Sequence, residues 1–204
     1  MPKLTTVIIL LKRFIVFVLV VFLSGCSGSA LTLYEGINEA NTAPTYIPKQ
    51  DMVYDQKLSE FETTIVDKAK DRINNVKLAC DSINKKILKP GEEFSFNETV
   101  GERTAERGYK EASIIIDGKK EKGIGGGICQ VSSTVYQAAV KADLEILERH
   151  EHSKKVPYIA KGEDATISGK LDLRFKNNHN FPVKFEVATN GEIVTVVVYK
   201  DEET

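Results

Sequence analysis

Past residue 57 the apolar positions fall into two periods. Leu58-Ser-Glu-Phe61-Glu-Thr-Thr-Ile65-Val66 is rich in β-branched and aromatic residues and reads as a strand. Arg72–Asn84 places Ile73, Val76, Ala79, Cys80 and Ile83 on one helical face. Lys89-Pro90-Gly91 is a turn, and Glu93–Phe96 a short strand. Ser113–Ile116 runs into Asp117-Gly118, the signature of a hairpin. A glycine run then leads to a second helix, with Val131, Val135, Ala138, Ala139 and Ala142 on its face. Leu144–Leu147 reads as a strand, Leu171–Phe175 alternates, and Val183–Val187 and Ile193–Tyr199 flank Asn190-Gly191, a strong hairpin signal. Two main helices among many strands, out of strict βαβ order and without an internal repeat, predict an α+β fold with a largely antiparallel sheet.

The first 56 residues follow a different pattern. Lys3, Lys12 and Arg13 precede nine unbroken apolar residues, Ile15–Leu23, and the segment ends Leu23-Ser24-Gly25-Cys26. A charged n-region, a short apolar core and small residues before a cysteine resemble the lipobox of bacterial lipoproteins. The expectation is a signal peptide over residues 1–25, cleavage before Cys26 and acylation of that cysteine. An uncleaved signal anchor is the alternative. Residues 26–56, with Pro44, Pro48 and no sustained period, read as the lipidated cysteine and a tether of roughly 30 Å r.m.s. span; a short helix near Leu31–Ala40 is the rival. Residues 57–204 form the folded domain. The expected location is the extracytoplasmic face of the cell membrane, held by the lipid on Cys26.

Charge excludes one class of partner. Lys and Arg total 28 against 29 Asp and Glu, a formal net charge of −1, so no basic footprint for nucleic acid exists. Three cysteines, Cys26, Cys80 and Cys129, are too few for a disulfide scaffold.

Chemistry concentrates in Lys122-Gly-Ile-Gly-Gly-Gly-Ile-Cys129-Gln-Val-Ser-Ser-Thr134. Cys129 falls where the second helix is predicted to begin. A helix N-terminus favours a thiolate and offers free N–H groups to an oxyanion. Gly123, Gly125, Gly126 and Gly127 allow close approach of a substrate backbone. No Gly-Lys-Ser/Thr follows, which excludes a Walker A loop, and no Rossmann turn is present. Two of the chain's three histidines stand in His150-Glu-His152, about one strand further on. If the strand continues extended, both rings face one side. A thiol nucleophile needs such a base and a third group that orients it; Asp164 and Asp172 are the acidic candidates. A zinc site on Cys129, His150 and His152 is a weaker alternative. Cys80, on the apolar helix face, reads as a buried inert thiol, with a Cys80–Cys129 disulfide as the alternative. Arg103 and Arg107, near Gly108-Tyr109, are candidates to clamp a substrate carboxylate. His179 reads as a turn residue.

At this point the chain resembles the VanW family. The resemblance rests on Lys89-Pro-Gly-Glu-Glu-Phe-Ser-Phe-Asn97, Val100-Gly-Glu-Arg-Thr104, Gly108-Tyr109, Gly125-Gly-Gly-Ile-Cys-Gln-Val-Ser-Ser-Thr134, Glu148-Arg-His-Glu-His-Ser153, Asp164-Ala-Thr166 and Leu173-Arg-Phe-Lys-Asn177. It runs from about Leu58 to Tyr199. The family takes its name from glycopeptide (vancomycin) resistance clusters and belongs to Gram-positive cell envelopes. The resemblance implies work on peptidoglycan stem peptides and, for some members, L,D-transpeptidation giving 3–3 cross-links. Carried onto this chain, Cys129 is the nucleophile and His152 the base, with His150 as rival. Amides around Gly125, Gly126, Gly127, Cys129, Gln130 and Val131 form the oxyanion site. Read from the residues beside that resemblance, Asp164 or Asp172 is expected to orient the histidine, and Arg103 and Tyr109 to meet substrate. No cofactor or metal is implied. A thiol peptidase that uses water as acceptor, and a non-catalytic envelope-binding lipoprotein, are the alternatives.

Overall fold

The computed structural model describes residues 56–116 and 119–202. The signal segment, Cys26, most of the tether and the Asp117-Gly118 turn lie outside the described residues.

In chain order the elements are β1 (Gln56–Thr64), α1 (Lys70–Ile83), β2 (Ile87–Leu88), β3 (Glu93–Ser95), α2 (Phe96–Val100), β4 (Glu111–Ile116), β5 (Lys119–Ile124), α3 (Ile128–Lys141), β6 (Glu145–Glu148), β7 (Arg174–Lys176), β8 (Val183–Thr189) and β9 (Ile193–Lys200). Asn190-Gly191 closes the β8–β9 hairpin; Gly191 sits at φ +87° and Asn190 Oδ1 accepts from Glu192 N and Ile193 N. β1 pairs antiparallel with β9, and the main sheet runs β1-β9-β8-β2. Val183, Phe185 and Val187 of β8 and Val194, Val196 and Val198 of β9 are buried on one face, the period-2 signature of a half-buried sheet. That face is covered by α1 and α3. α1 contributes Val76, Ala79, Cys80 and Ile83, and α3 contributes Val131, Val135, Ala138 and Ala139.

A second antiparallel sheet, β3-β7-β6, joins the same core through aromatic packing. The Phe94 and Phe175 rings stack at 4.5 Å, and Phe185 of the main sheet lies 5.6 Å from Phe175. The β4–β5 hairpin stands apart as a two-stranded sheet. The architecture is α+β with antiparallel sheets, as the sequence predicts.

Three local differences bear on the site. The strand expected over Leu171–Phe175 begins only at Arg174. Asp172 instead accepts from Ser95 Oγ (2.6 Å) and Asn97 N (2.9 Å), and Leu173 O accepts from Phe96 N (3.0 Å). These bonds seat the first turn of α2, so Asp172 is a structural cap, and the carboxylate bonded to His152 is that of Asp164. Tyr109 is 2% exposed within the core, and burial pushes its phenol upward; it offers substrate no surface. β6 ends at Glu148, so the extended parity expected through His152 does not hold.

Candidate active site

The glycine run ends in a left-handed residue, Gly127 at φ +110°, which is the N-cap of α3. Cys129 is therefore the second residue of that 14-residue helix. Ile128 N and Gln130 N already donate to Gly125 O (3.3 Å) and Gly127 O (3.0 Å). Among the described residues the Gly126, Gly127 and Cys129 amides of this turn have no acceptor. Free N–H groups in the first helical turn are the expected place for an oxyanion. Gly125, Gly126 and Gly127 line the cleft. Of the two residues predicted to join them, Gln130 also lines the cleft although it is 1% exposed, while Val131 is 0% exposed and does not. The Gln130 side chain is consumed by Thr63 Oγ1 (3.1 Å) and Thr64 O (2.9 Å).

Two brackets hold the helix start. Asn75 of α1 is fully buried and donates to Lys110 O (2.9 Å) and Gly126 O (3.1 Å), while its Oδ1 accepts from Lys110 N (2.7 Å). On the other side, Ser133 Oγ donates to Cys129 O (2.7 Å) and accepts from Ala165 N (3.0 Å), and Ser132 Oγ donates to Ala165 O (2.6 Å). The polar residues of Gln130–Thr134 are buried scaffolding that ties α3 to β1 and to Asp164–Thr166.

Residues 149–173 run without regular secondary structure, a length that marks a functional loop. This segment carries the other two members of the site. The Asp164 carboxylate accepts from His152 N at 2.7 Å and is hydrogen-bonded to His152 Nδ1 through the same oxygen. Nδ1 is thereby occupied; the ring and the Cys129 sulfur line the same cleft, near enough that the sulfur helps to raise the imidazole pKa. The thiol also donates to Ile167 O at 3.5 Å. Arg149 braces the acid, with Nε to Asp164 O at 2.6 Å and a guanidinium nitrogen 3.5 Å from Oδ1. The result is a chain Cys129–His152–Asp164, the order that thiol acyl chemistry requires.

The electrostatics follow the geometry. Burial alone would push the His152 imidazole down, but hydrogen bonds and charge from Cys129 and Asp164 outweigh it and raise the pKa. Burial would raise Asp164, but the backbone N–H and ring of His152 hold its carboxyl below the usual range. Burial and the neighbouring Cys129 push the Tyr158 phenol up. The signs fix a stability profile for the pair. The contribution of Asp164 is present above the ordinary carboxylate pKa, about 3.9, and fades as pH falls through its lowered value. That of His152 is present below the ordinary imidazole pKa, about 6.5, and fades as pH rises through its raised value. We predict that the melting-temperature gap between wild type and Asp164→Asn is widest at about pH 5–6 and narrows in both directions. A gap independent of pH would contradict the ion pair.

The remaining predicted residues are placed as follows. His150 turns away: its Nε2 meets Glu148 Oε1 at 2.9 Å, and its side chain is 37% exposed against 12% for His152. Unlike His152, it is not among the residues that line the cleft. Among the described residues no three His, Cys, Asp or Glu side chains could hold a metal ion. Cys80 and Cys129 are both free thiols, and burial raises Cys80 to about 12. Arg103 lines the cleft, with Nη1 donating to Asn97 Oδ1 (2.9 Å) and Gly101 O (3.2 Å). Arg107 is exposed, and its Nη1 donates to Glu102 O (2.6 Å). His179 stacks on Phe181 and bonds Ala142 O (2.8 Å).

The cleft itself has a volume of about 880 Å³. Its walls are the glycine run, Ile114 and Ile124 of the hairpin, the start of α1 at Arg72, and the loop residues His152, Lys154–Tyr158 and Thr166–Ser168. Arg72, Arg149 and Tyr158 went unnoticed in the sequence. Nothing in the residues flanking Arg72 marks it, because the contact is made across 58 positions to Gln130.

Fold and site together define an α+β domain with a cysteine, histidine and aspartate aligned at the head of a glycine-capped helix. The family model described as VanW like protein matches residues 71–199, and the chain belongs to that family. It is 40% identical over 148 residues to a Bacillus subtilis protein, YoaR, whose name describes it as uncharacterized, covering 72% of this chain and 49% of that one. It is 32% identical over 138 residues to the vancomycin B-type resistance protein VanW of Enterococcus faecalis, covering 65% and 50% respectively. The chain thus spans about half the length of these relatives. No solved structure matches.

Proposed function

We propose that the protein is a membrane-anchored cell-envelope acyltransferase acting on peptidoglycan stem peptides, an L,D-transpeptidase that works through a Cys129 thioester. The observation that carries this reading is the Cys129–His152–Asp164 chain opening into a cleft beside an uncommitted helix-start amide. In the first step the thiolate attacks the carbonyl of the third stem residue and a sulfur–carbon bond forms. The oxyanion is met by the Cys129 amide. The carbon–nitrogen bond to the terminal residue breaks, and the departing amine takes its proton from the His152 imidazolium. In the second step a side-chain amine of another stem attacks the thioester, neutral His152 takes its proton, and the thiol is released as the 3–3 link forms. Asp164 keeps the ring in the tautomer that both transfers need. The vancomycin-resistance role in the name of the Enterococcus relative fits work on the same stems.

Incubation of the purified protein with tetrapeptide-stem peptidoglycan should yield 3–3 linked dimers by muropeptide mass spectrometry. Tripeptide stems alone would make water the acceptor, and unchanged stems would leave an envelope-binding protein. The location rests on the segment before Cys26. We predict that Cys26→Ser moves the protein from the membrane to the soluble fraction; identical fractionation of both proteins would end the lipid-anchor reading.

A further inference from the structure

The cleft beside Cys129 is lined by more cations than it neutralises. Arg72, Arg103, Lys154 and Lys155 face it, and among its lining residues Asp67 is the one carboxylate. Arg149 and Arg174 elsewhere end on carboxylates, with contacts to Glu151 (2.9 Å) and Glu93 (2.6 Å). Arg72 does not. Its Nη1 donates to Ser113 O at 3.5 Å and its Nη2 to Gln130 Oε1 at 3.4 Å. Both acceptors are neutral and both distances sit at the limit of a hydrogen bond. Its buried Nε has no partner. A partly buried guanidinium with weak neutral contacts is under-compensated, and its planar fork suits a carboxylate.

The position of Arg72 is as informative as its charge. Its Cγ packs directly on Gly127: a Cβ there would stand 3.0 Å away. Gly127 is the N-cap of the helix that carries Cys129. The guanidinium is therefore fixed beside the turn that meets the reacting carbonyl.

We propose that Arg72 docks the free α-carboxylate of the acyl donor, the terminus of the residue expelled when Cys129 attacks. The site then takes peptides that end one residue past the scissile bond and discriminates against capped termini. The inference rests on the acyl-transfer reading and adds to it the chemistry of the donor's end. Arg72 exchanges no proton and forms no bond; it is a positioning and specificity residue.

The experiment compares two probes, acetyl-L-Ala-γ-D-Glu-L-Lys-D-Ala with a free terminal carboxylate and the same peptide as its terminal carboxamide. With the full chain, the carboxylate donor should exceed the amide in kcat/KM by roughly 10- to 100-fold, the range of a charge-assisted hydrogen bond. Arg72→Gln should bring that ratio close to one, and Arg72→Lys should keep part of it. A melting curve and the iodoacetamide rate of Cys129 verify that each variant is folded around its thiol. Calorimetric titration of the Cys129→Ala protein with both peptides reads the same preference without chemistry. An equal affinity for the two peptides there, or a carboxylate preference that survives Arg72→Gln, overturns the proposal. If wild type forms no thioester with either donor while the titration still shows an Arg72-dependent preference, the acyl-transfer reading falls and the carboxylate site stands.

Discussion

Cys129→Ala should abolish acyl transfer, and His152→Ala should slow it by about 10²–10⁴-fold, the range for losing a positioned general base. The two variants fail for different reasons. Without sulfur no thioester forms. Without the imidazole the thiol keeps its helix-start position, but nothing relays its proton to the departing amine. Alkylation separates these effects. Iodoacetamide should modify Cys129 quickly near neutral pH in wild type, several-fold more slowly in His152→Ala, and Cys80 not at all in the folded protein, since Cys80 is 0% exposed. His150→Ala should leave both rates near wild type, because that ring is bonded to Glu148 and half-turned to solvent. Melting curves verify that each variant is folded. A wild-type alkylation profile in His152→Ala would remove the base from the mechanism, whatever the geometry of the ring.

The fold was largely written in local periodicity, and the site only partly so. β8, β9, α1 and α3 each bury a face that shows as a regular spacing in the chain. β5 does not: Lys-Lys-Glu-Lys-Gly-Ile carries no alternation, and the strand exists because β4 supplies its partner. The glycine run and Cys129 could be placed at a helix start, since left-handed backbone and free amides are local properties. The resemblance favoured His152 over His150, but the physical ground for that choice lies in which loop atoms pin the ring. That depends on Asp164, 12 residues away, whose carboxylate holds both the His152 amide and its ring. Choosing Asp164 over Asp172 needed tertiary information for the same reason, as Asp172 is spent on the turn at Asn97. Arg72 had no local signal at all, because its cleft position comes from α1 packing against the start of α3.

The largest effect away from the reacting groups is expected at Gly126. A Cβ built there would stand 2.7 Å from Ser113 O, 2.8 Å from Ala112 C and 2.9 Å from Ala112 Cβ. None of these is the end of a flexible side chain. Two are backbone of β4, and the residue itself is buried and fastened through its carbonyl to Asn75. Relief therefore requires the hairpin or the glycine loop to move. Overpacking of this kind costs about 1–3 kcal/mol, and loss of the buried Asn75 bond adds about 1–3 kcal/mol more. The same shift displaces Gly127 and the amide at Cys129. A misplacement of about 1 Å at a reacting centre costs on the order of 10²-fold in rate. Gly126→Ala should therefore lower both the melting temperature and acyl transfer, with intact Cys129, His152 and Asp164. Gly162→Ala is the contrast, because nothing lies within 4 Å of its Cβ position and only its φ of +88° is strained. It should cost stability without slowing transfer in the protein that remains folded. Equal losses of rate in the two variants would mean that the close packing of the glycine run on β4 does not position the nucleophile.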